Sequence, residues 1–183
     1  MHGVNIFRRY WYQARARGLV EKTWFNAIWF QITWLVCVLG RDAFTPLVVA
    51  LIALHFTLVA SPRQEAAELA PIVALGVVVD SLLSALGVFD FGAQLVPIWL
   101  CLLWVAFATT LTRAFAFLGK RYWLAALVGG VAVPFNYGAG AGFGAVSLPL
   151  DTTTTALVLM VVWAVLLPVL FRLSRAQSER RCH

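Results

Sequence analysis

One carboxylate stands inside an otherwise apolar run, GVVVDSLLSALG, from Gly76 to Gly87. An ionisable group at membrane depth costs at least a few kcal/mol, so it faces a protein interior or a water-filled cavity. On a helix, Gly76, Asp80 and Ser84 share one face at four-residue spacing, with Gly76 admitting a close neighbour and Ser84 adding a hydroxyl. Donors of suitable chemistry stand in the first apolar segment: the Gln31 amide, the Thr33 hydroxyl and the Trp34 indole N–H can each donate to a carboxylate at about the depth of Asp80. Alternatively the carboxyl carries a proton. His55, about 8 Å nearer the other end by helical rise, and Arg113, at a segment end where it can snorkel, match the depth of Asp80 poorly. Asp80 therefore reads either as a ligand or proton site or as a hydrogen-bonded anchor between helices.

A second group of candidates lies further on. PFNYGAGAGFGAVSLP, Pro134 to Pro149, carries Asn136 and Tyr137 ahead of alternating glycines. Proline and this glycine density predict that the helix ends near Tyr137. A re-entrant segment, a lid over an outward pocket, or a flexible loop with close packing at Gly138 and Gly142 are the alternatives. Gln94 and Trp99 belong near the same mouth, with Trp104 deeper and Pro97 in the first turns of its helix. The candidate ligand-binding set is thus Asp80, Ser84, Gln31, Thr33, Trp34, Trp99, Asn136 and Tyr137.

No HExxH, CxxC, nucleotide loop or pair of intramembrane carboxylates occurs, and His2, His55 and His183 are not at ligand spacing. No metal, cofactor or catalytic residue is expected. Cys37, Cys101 and Cys182 are scattered and odd in number, which argues against a disulfide framework.

These residues need elements to hold them. Of 183 residues, 62% are hydrophobic and 12% charged, against roughly a quarter charged in soluble domains. Runs near 20 apolar residues cross a bilayer as helices. The expected fold is all-α: a polytopic six-helix membrane bundle. Its spans fall near 23–39, 43–60, 69–88, 93–117, 122–137 and 154–173, with Asp80 about 16 Å into the third by helical rise. A basic N-terminal segment (1–22), the membrane domain (23–173) and a basic tail (174–183) make up the chain. The first apolar run reads as a retained anchor rather than a cleaved signal peptide.

With six spans, 13 of the 14 basic residues fall on one side and only Arg41 on the other. The positive-inside rule makes that side cytoplasmic and places both termini there. The net charge of +6 is therefore a matter of orientation and not of nucleic acid. The N-terminal segment mixes arginines with Phe7, Tyr10, Trp11 and Tyr12, which suits either an interfacial helix on membrane lipids or a plain topology anchor.

The runs WFNAIWFQITWLVCVLG, DSLLSALGVF, PIWLCLLWVAFATTL and AALVGGVAVPFNYGAGAGFGA resemble a bacterial inner-membrane family described as a domain of unknown function, over residues 22–173. The resemblance implies a Gram-negative inner-membrane location and, through gene neighbours in fatty-acid modification, a lipid-linked role. It assigns no catalytic residue. In size and topology the chain is also similar to the substrate-binding subunits of energy-coupling vitamin transporters, an analogy of fold level only. Three functions follow as alternatives. The first is binding or transport of a small or lipid-like ligand in an outward-facing pocket, with another subunit at the basic inner face. The second is an accessory or catalytic subunit of lipid modification. The third is a scaffold without a ligand.

Overall fold

The computed structural model describes Gly18 and residues 22–179. The interfacial helix expected before the first span lies outside the described residues. The chain is all-α, in the order α1 (Thr23–Gly40), a 3-10 turn (Arg41–Phe44), α2 (Thr45–Leu58), α3 (Pro62–Ala85), α4 (Ile98–Thr112), a 3-10 turn (Leu118–Lys120), α5 (Tyr122–Gly142) and α6 (Thr152–Glu179). Four stretches are long and apolar enough to cross a membrane: Thr23–Leu58, Pro62–Ala85, Tyr122–Gly142 and Thr152–Ala176. They mark a multi-pass membrane protein. The six expected spans reduce to these four plus a shorter apolar helix, Ile98–Thr112. The shortfall is one of length: the stretch Thr23–Leu58 holds two helices around a 3-10 turn, and α2 and α4 have 14 and 15 residues, below the ~20 that span hydrocarbon.

Several boundaries move, each for a local reason. α3 begins at Pro62 rather than near Leu69, because proline suits a first helical position and Glu65 adds a carboxylate to the first turn. Asp80 consequently sits about 27 Å along a helix of about 36 Å, close to its C-terminal end, not at its middle. Pro97 precedes α4 as its N-cap instead of lying in its first turns. α6 runs on to Glu179, so the described part of the expected tail continues the helix; its start is capped by the Asp151 Oδ1, which accepts the Thr154 N–H at 3.0 Å.

The largest correction concerns α5. It passes through Pro134 and the glycines to Gly142 without becoming a re-entrant loop. In an apolar surround every backbone polar group has to be paired within the segment, which outweighs the low intrinsic helicity of glycine. Nor do Gly138 and Gly142 serve close packing, since a Cβ at either meets nothing within 4 Å. The close approach is at Gly129, where a Cβ would overlap the Trp163 carbonyl of α6.

α3 and α5 end alike. Gly87 (φ 75°) and Gly144 (φ 72°) adopt the left-handed backbone that glycine tolerates. Val88 N–H then reaches Leu83 C=O, and Ala145 N–H reaches Gly140 C=O, both at 2.9 Å, the Schellman pattern of helix termination. The two extended tails pair with each other: Asp90 and Ser147 exchange N–H···O bonds of 2.9 Å in both directions. The far ends of α3 and α5 are thereby joined.

Candidate functional site

Asp80 is fully buried at 0% exposure. Its Oδ2 accepts the Trp104 indole N–H from α4 at 2.7 Å, and its Oδ1 accepts the Tyr137 hydroxyl from α5 at 2.7 Å. One carboxyl group therefore ties three helices together. A Cβ at Gly76, one turn before Asp80, would overlap the Trp104 ring. Glycine there lets the indole lie against α3 with its N–H at the carboxylate.

Aromatic stacking completes the fixture. Tyr137 lies on Phe89, ring centroids 4.5 Å apart and planes 12° from parallel. Phe89 is itself buried in the segment that the Asp90–Ser147 bridge fixes. Trp104 stacks on Trp163 of α6 at 5.5 Å and 4°, and Phe107 stands edge-on to both indoles. Offset aromatic pairs add roughly 0.5–1.5 kcal/mol each beyond area burial.

Beside this fixture lies an apolar chamber of about 180 Å³ walled by α1, α4, α5 and α6. α1 contributes Phe30, Trp34 and Val38, one face at four-residue spacing; α4 contributes Trp99 and Trp104, α5 Tyr137, and α6 Trp163. α1 packs its backbone closely on α2 and α4, and α5 packs on α6. The gap between α1 and α5 is filled by side chains, with Trp34 edge-on to Phe143 at 6.5 Å. Asn136 is exposed and at the same time lines the chamber, so the chamber reaches the flank of the molecule beside α5. Its neighbour Phe135 is 77% exposed there.

The sequence-derived candidates now separate. Trp34, Trp99, Asn136 and Tyr137 line the chamber. Asp80 does not; it is sealed behind Trp104 and Tyr137 and shapes the wall from the rear. The proposed donors from α1 are not its partners. Gln31 is exposed, the Thr33 hydroxyl donates to Trp29 C=O one turn back at 2.9 Å, and Trp34 faces the chamber. Ser84 is half-buried and outside the chamber lining. Asn136 donates to Ala132 C=O at 3.0 Å. Trp104, Trp163, Phe107 and Phe89 are additional members. One signal for Trp104 was present in the sequence: a glycine one turn from the buried acid is where a large flat side chain fits.

A second polar cluster lies at the other end of α3. Arg113 grips Glu65 with both terminal nitrogens, Nη1 to Oε1 at 2.8 Å and Nη2 to Oε2 at 2.7 Å. His55 Nε2 lies 2.7 Å from the same Oε1. Arg113 does not snorkel away; the bidentate pair holds it, and with His55 it joins the ends of α2, α3 and α4. Among the described residues no group of three His, Cys, Asp or Glu is placed to hold a metal ion. Cys37 and Cys101 are free thiols.

A family model described as "Protein of unknown function (DUF2878)" matches residues 23–169. The chain belongs to this family. The match takes in α1, α4, α5 and the chamber-lining part of α6, so the clamp and the chamber both lie within the DUF2878 region. Comparison with curated proteins and with solved structures gives no match.

Proposed function

We propose that this DUF2878 protein binds or carries a small or lipid-like ligand in the aromatic chamber. We further propose that it crosses the membrane six times with both termini in the cytoplasm, and that the end bearing Gly87, Gly144 and Arg41 faces outward. The observation that carries the first part is the chamber itself. An apolar cavity of about 180 Å³ stands between the α1–α4 pair and the α5–α6 pair, larger than the water-sized voids that packed interiors normally leave. Chambers of about 150 Å³ with apolar walls stay dry and accept a benzene-sized guest. The Asp80 clamp holds Trp104 and Tyr137 as rigid walls, which is how a binding site is kept open without a ligand to fill it. Membrane lipids are the nearest source of a guest, since the flank at Asn136 is surrounded by exposed apolar residues.

The orientation rests on charge. Lys120 and Arg121 precede Tyr122, and Arg172 and Arg175 lie over the Tyr122 ring, 5.0 and 5.5 Å from its centroid. These cations gather at one end of the bundle, whereas among the described residues Arg41 is the lone base at the other. That asymmetry is the positive-inside pattern.

The test uses the glycines of α5. Gly140 lines the chamber and a Cβ there meets nothing within 4 Å; Gly138 is equally open but lies outside the lining. Wild type, Gly140→Leu and Gly138→Leu are purified in mild detergent and extracted for untargeted small-molecule and lipid mass spectrometry. The reading expects a near-stoichiometric compound with wild type and Gly138→Leu that is lost from Gly140→Leu. Equal amounts in all three, or nothing bound to any, refutes it.

A further inference from the structure

Above the chamber, at the end where α3 and α5 terminate, lies a second cavity of about 320 Å³ with polar walls, bordered by Arg41, Asp42, Asp90, Gln94 and Ser147. The two cavities share Phe91, Trp99, Ala145 and Val146 as common wall. An apolar chamber and a charged bowl are thus stacked on either side of Trp99.

The charged side chains of the bowl, Arg41, Asp42 and Asp90, are all exposed. Among the described residues Arg41 forms no ion pair with Asp42 or Asp90, although all three line the same space. Arg41 has φ 48° and ψ −135°, a conformation an L-residue with a side chain adopts only under strain. Asp90 is pinned by its bridge to Ser147, and its Oδ1 accepts the Gly92 N–H at 2.7 Å. The Arg41 Nη2 comes instead to the open face of Gly144, 3.7 Å from where a Cβ would stand. Opposite charges that share a cavity without meeting are available to a guest carrying both signs.

We infer that the bowl and chamber together form one site for a zwitterionic membrane amphiphile. Its anionic group sits on Arg41, its primary ammonium between Asp42 and Asp90, and one apolar chain lies below Trp99. This deepens, and rests on, the ligand-binding reading above. The planar fork of arginine suits a phosphate or carboxylate. A purely anionic headgroup meets two carboxylates and a purely cationic one meets the guanidinium; only a group bearing both satisfies all three. A chamber of this volume takes a benzene-sized portion of one chain, so the rest of that chain and any second chain leave through the flank at Asn136 into the bilayer.

The experiment measures binding of three single-chain probes of equal chain length to the full chain in detergent, by native mass spectrometry: a lysophosphatidylethanolamine, a lysophosphatidylglycerol and an alkylammonium. Wild type is expected to prefer the zwitterion by about tenfold over both single-charge probes. Arg41→Gln and Asp90→Asn are each expected to reduce that preference to about threefold or less, with loss of a charge-assisted contact. Arg41→Gly, which also relieves the strained backbone, is expected to raise the melting temperature and still lose the preference, so a folding defect is not confused with a lost contact. Equal binding of all three probes by wild type, or an undiminished preference in Arg41→Gly, overturns the headgroup site while leaving the chamber reading intact. Binding of no probe overturns the headgroup site as well, and the chamber reading then stands or falls on the Gly140→Leu and Gly138→Leu extraction.

Discussion

Removing the Asp80 carboxylate should be among the most damaging single changes in the bundle, and its size can be worked from the contacts. In Asp80→Ala the Trp104 N–H and the Tyr137 O–H both lose their acceptor inside a site with 0% exposure. A buried donor left unpaired costs about 1–3 kcal/mol, whereas interhelical hydrogen bonds in membranes average nearer 0.6 kcal/mol because the unfolded helices also find partners. Two bonds therefore set bounds of about 1 and 6 kcal/mol, and roughly 3 kcal/mol is the expected loss. Asp80→Asn keeps one acceptor oxygen and turns an amide donor toward the other partner, so its cost should approach that of alanine although the shape is conserved. For a chain of this size 1 kcal/mol moves the melting point by about 2–4 °C, which places Asp80→Ala some 6–12 °C below wild type. The assay is thermal unfolding in detergent, followed by gel-filtration recovery. Tyr137→Phe alone should cost about half as much, and combined with Asp80→Ala it should add almost nothing, since both remove the same bond. A shift under about 2 °C for Asp80→Ala, or full additivity with Tyr137→Phe, would refute the clamp.

Two further predictions concern the helix ends. Glu65→Gln breaks the bidentate grip of Arg113 and weakens the His55 contact in a site whose side chains are 4–13% exposed; breaking such a pair costs about 3–5 kcal/mol when fully buried, and about 3 kcal/mol at this partial exposure lowers the melting point by some 6–12 °C; no change would show the cluster to be energetically idle. Asp151 is exposed, and hydrogen bonds from Thr154 hold its carboxyl below the usual range. Its folded pKa is depressed, so the capping contribution is present above the ordinary carboxylate range and disappears as pH falls through the lowered folded value. Asp151→Ala should therefore melt earlier than wild type near neutral pH and alongside it in strong acid; a gap that persists in acid would contradict that account.

The amino-acid sequence alone is enough to establish the solvent and the broad class. Apolar runs of bilayer length, few charges and a one-sided distribution of lysine and arginine are properties of segments read in order, and they led to a multi-pass helical membrane protein. It also singled out Asp80, because a lone carboxylate in such a run has to be satisfied by protein, and periodicity placed Gly76 on the same face. What periodicity does not specify is the neighbour. The partners of Asp80 are 24 and 57 residues away in sequence, and donors equally good by chemistry, on Gln31, Thr33 and Trp34, stand on a helix that packs elsewhere. The course of α5 through Pro134 and its glycines was likewise decided by tertiary surroundings, where unpaired backbone is too costly to permit the loop that local propensity favours. The chamber and the charged bowl belong wholly to the packed structure. Each is the space left where helices meet through large aromatic side chains and glycine-capped ends, and such space has no residue of its own to be read.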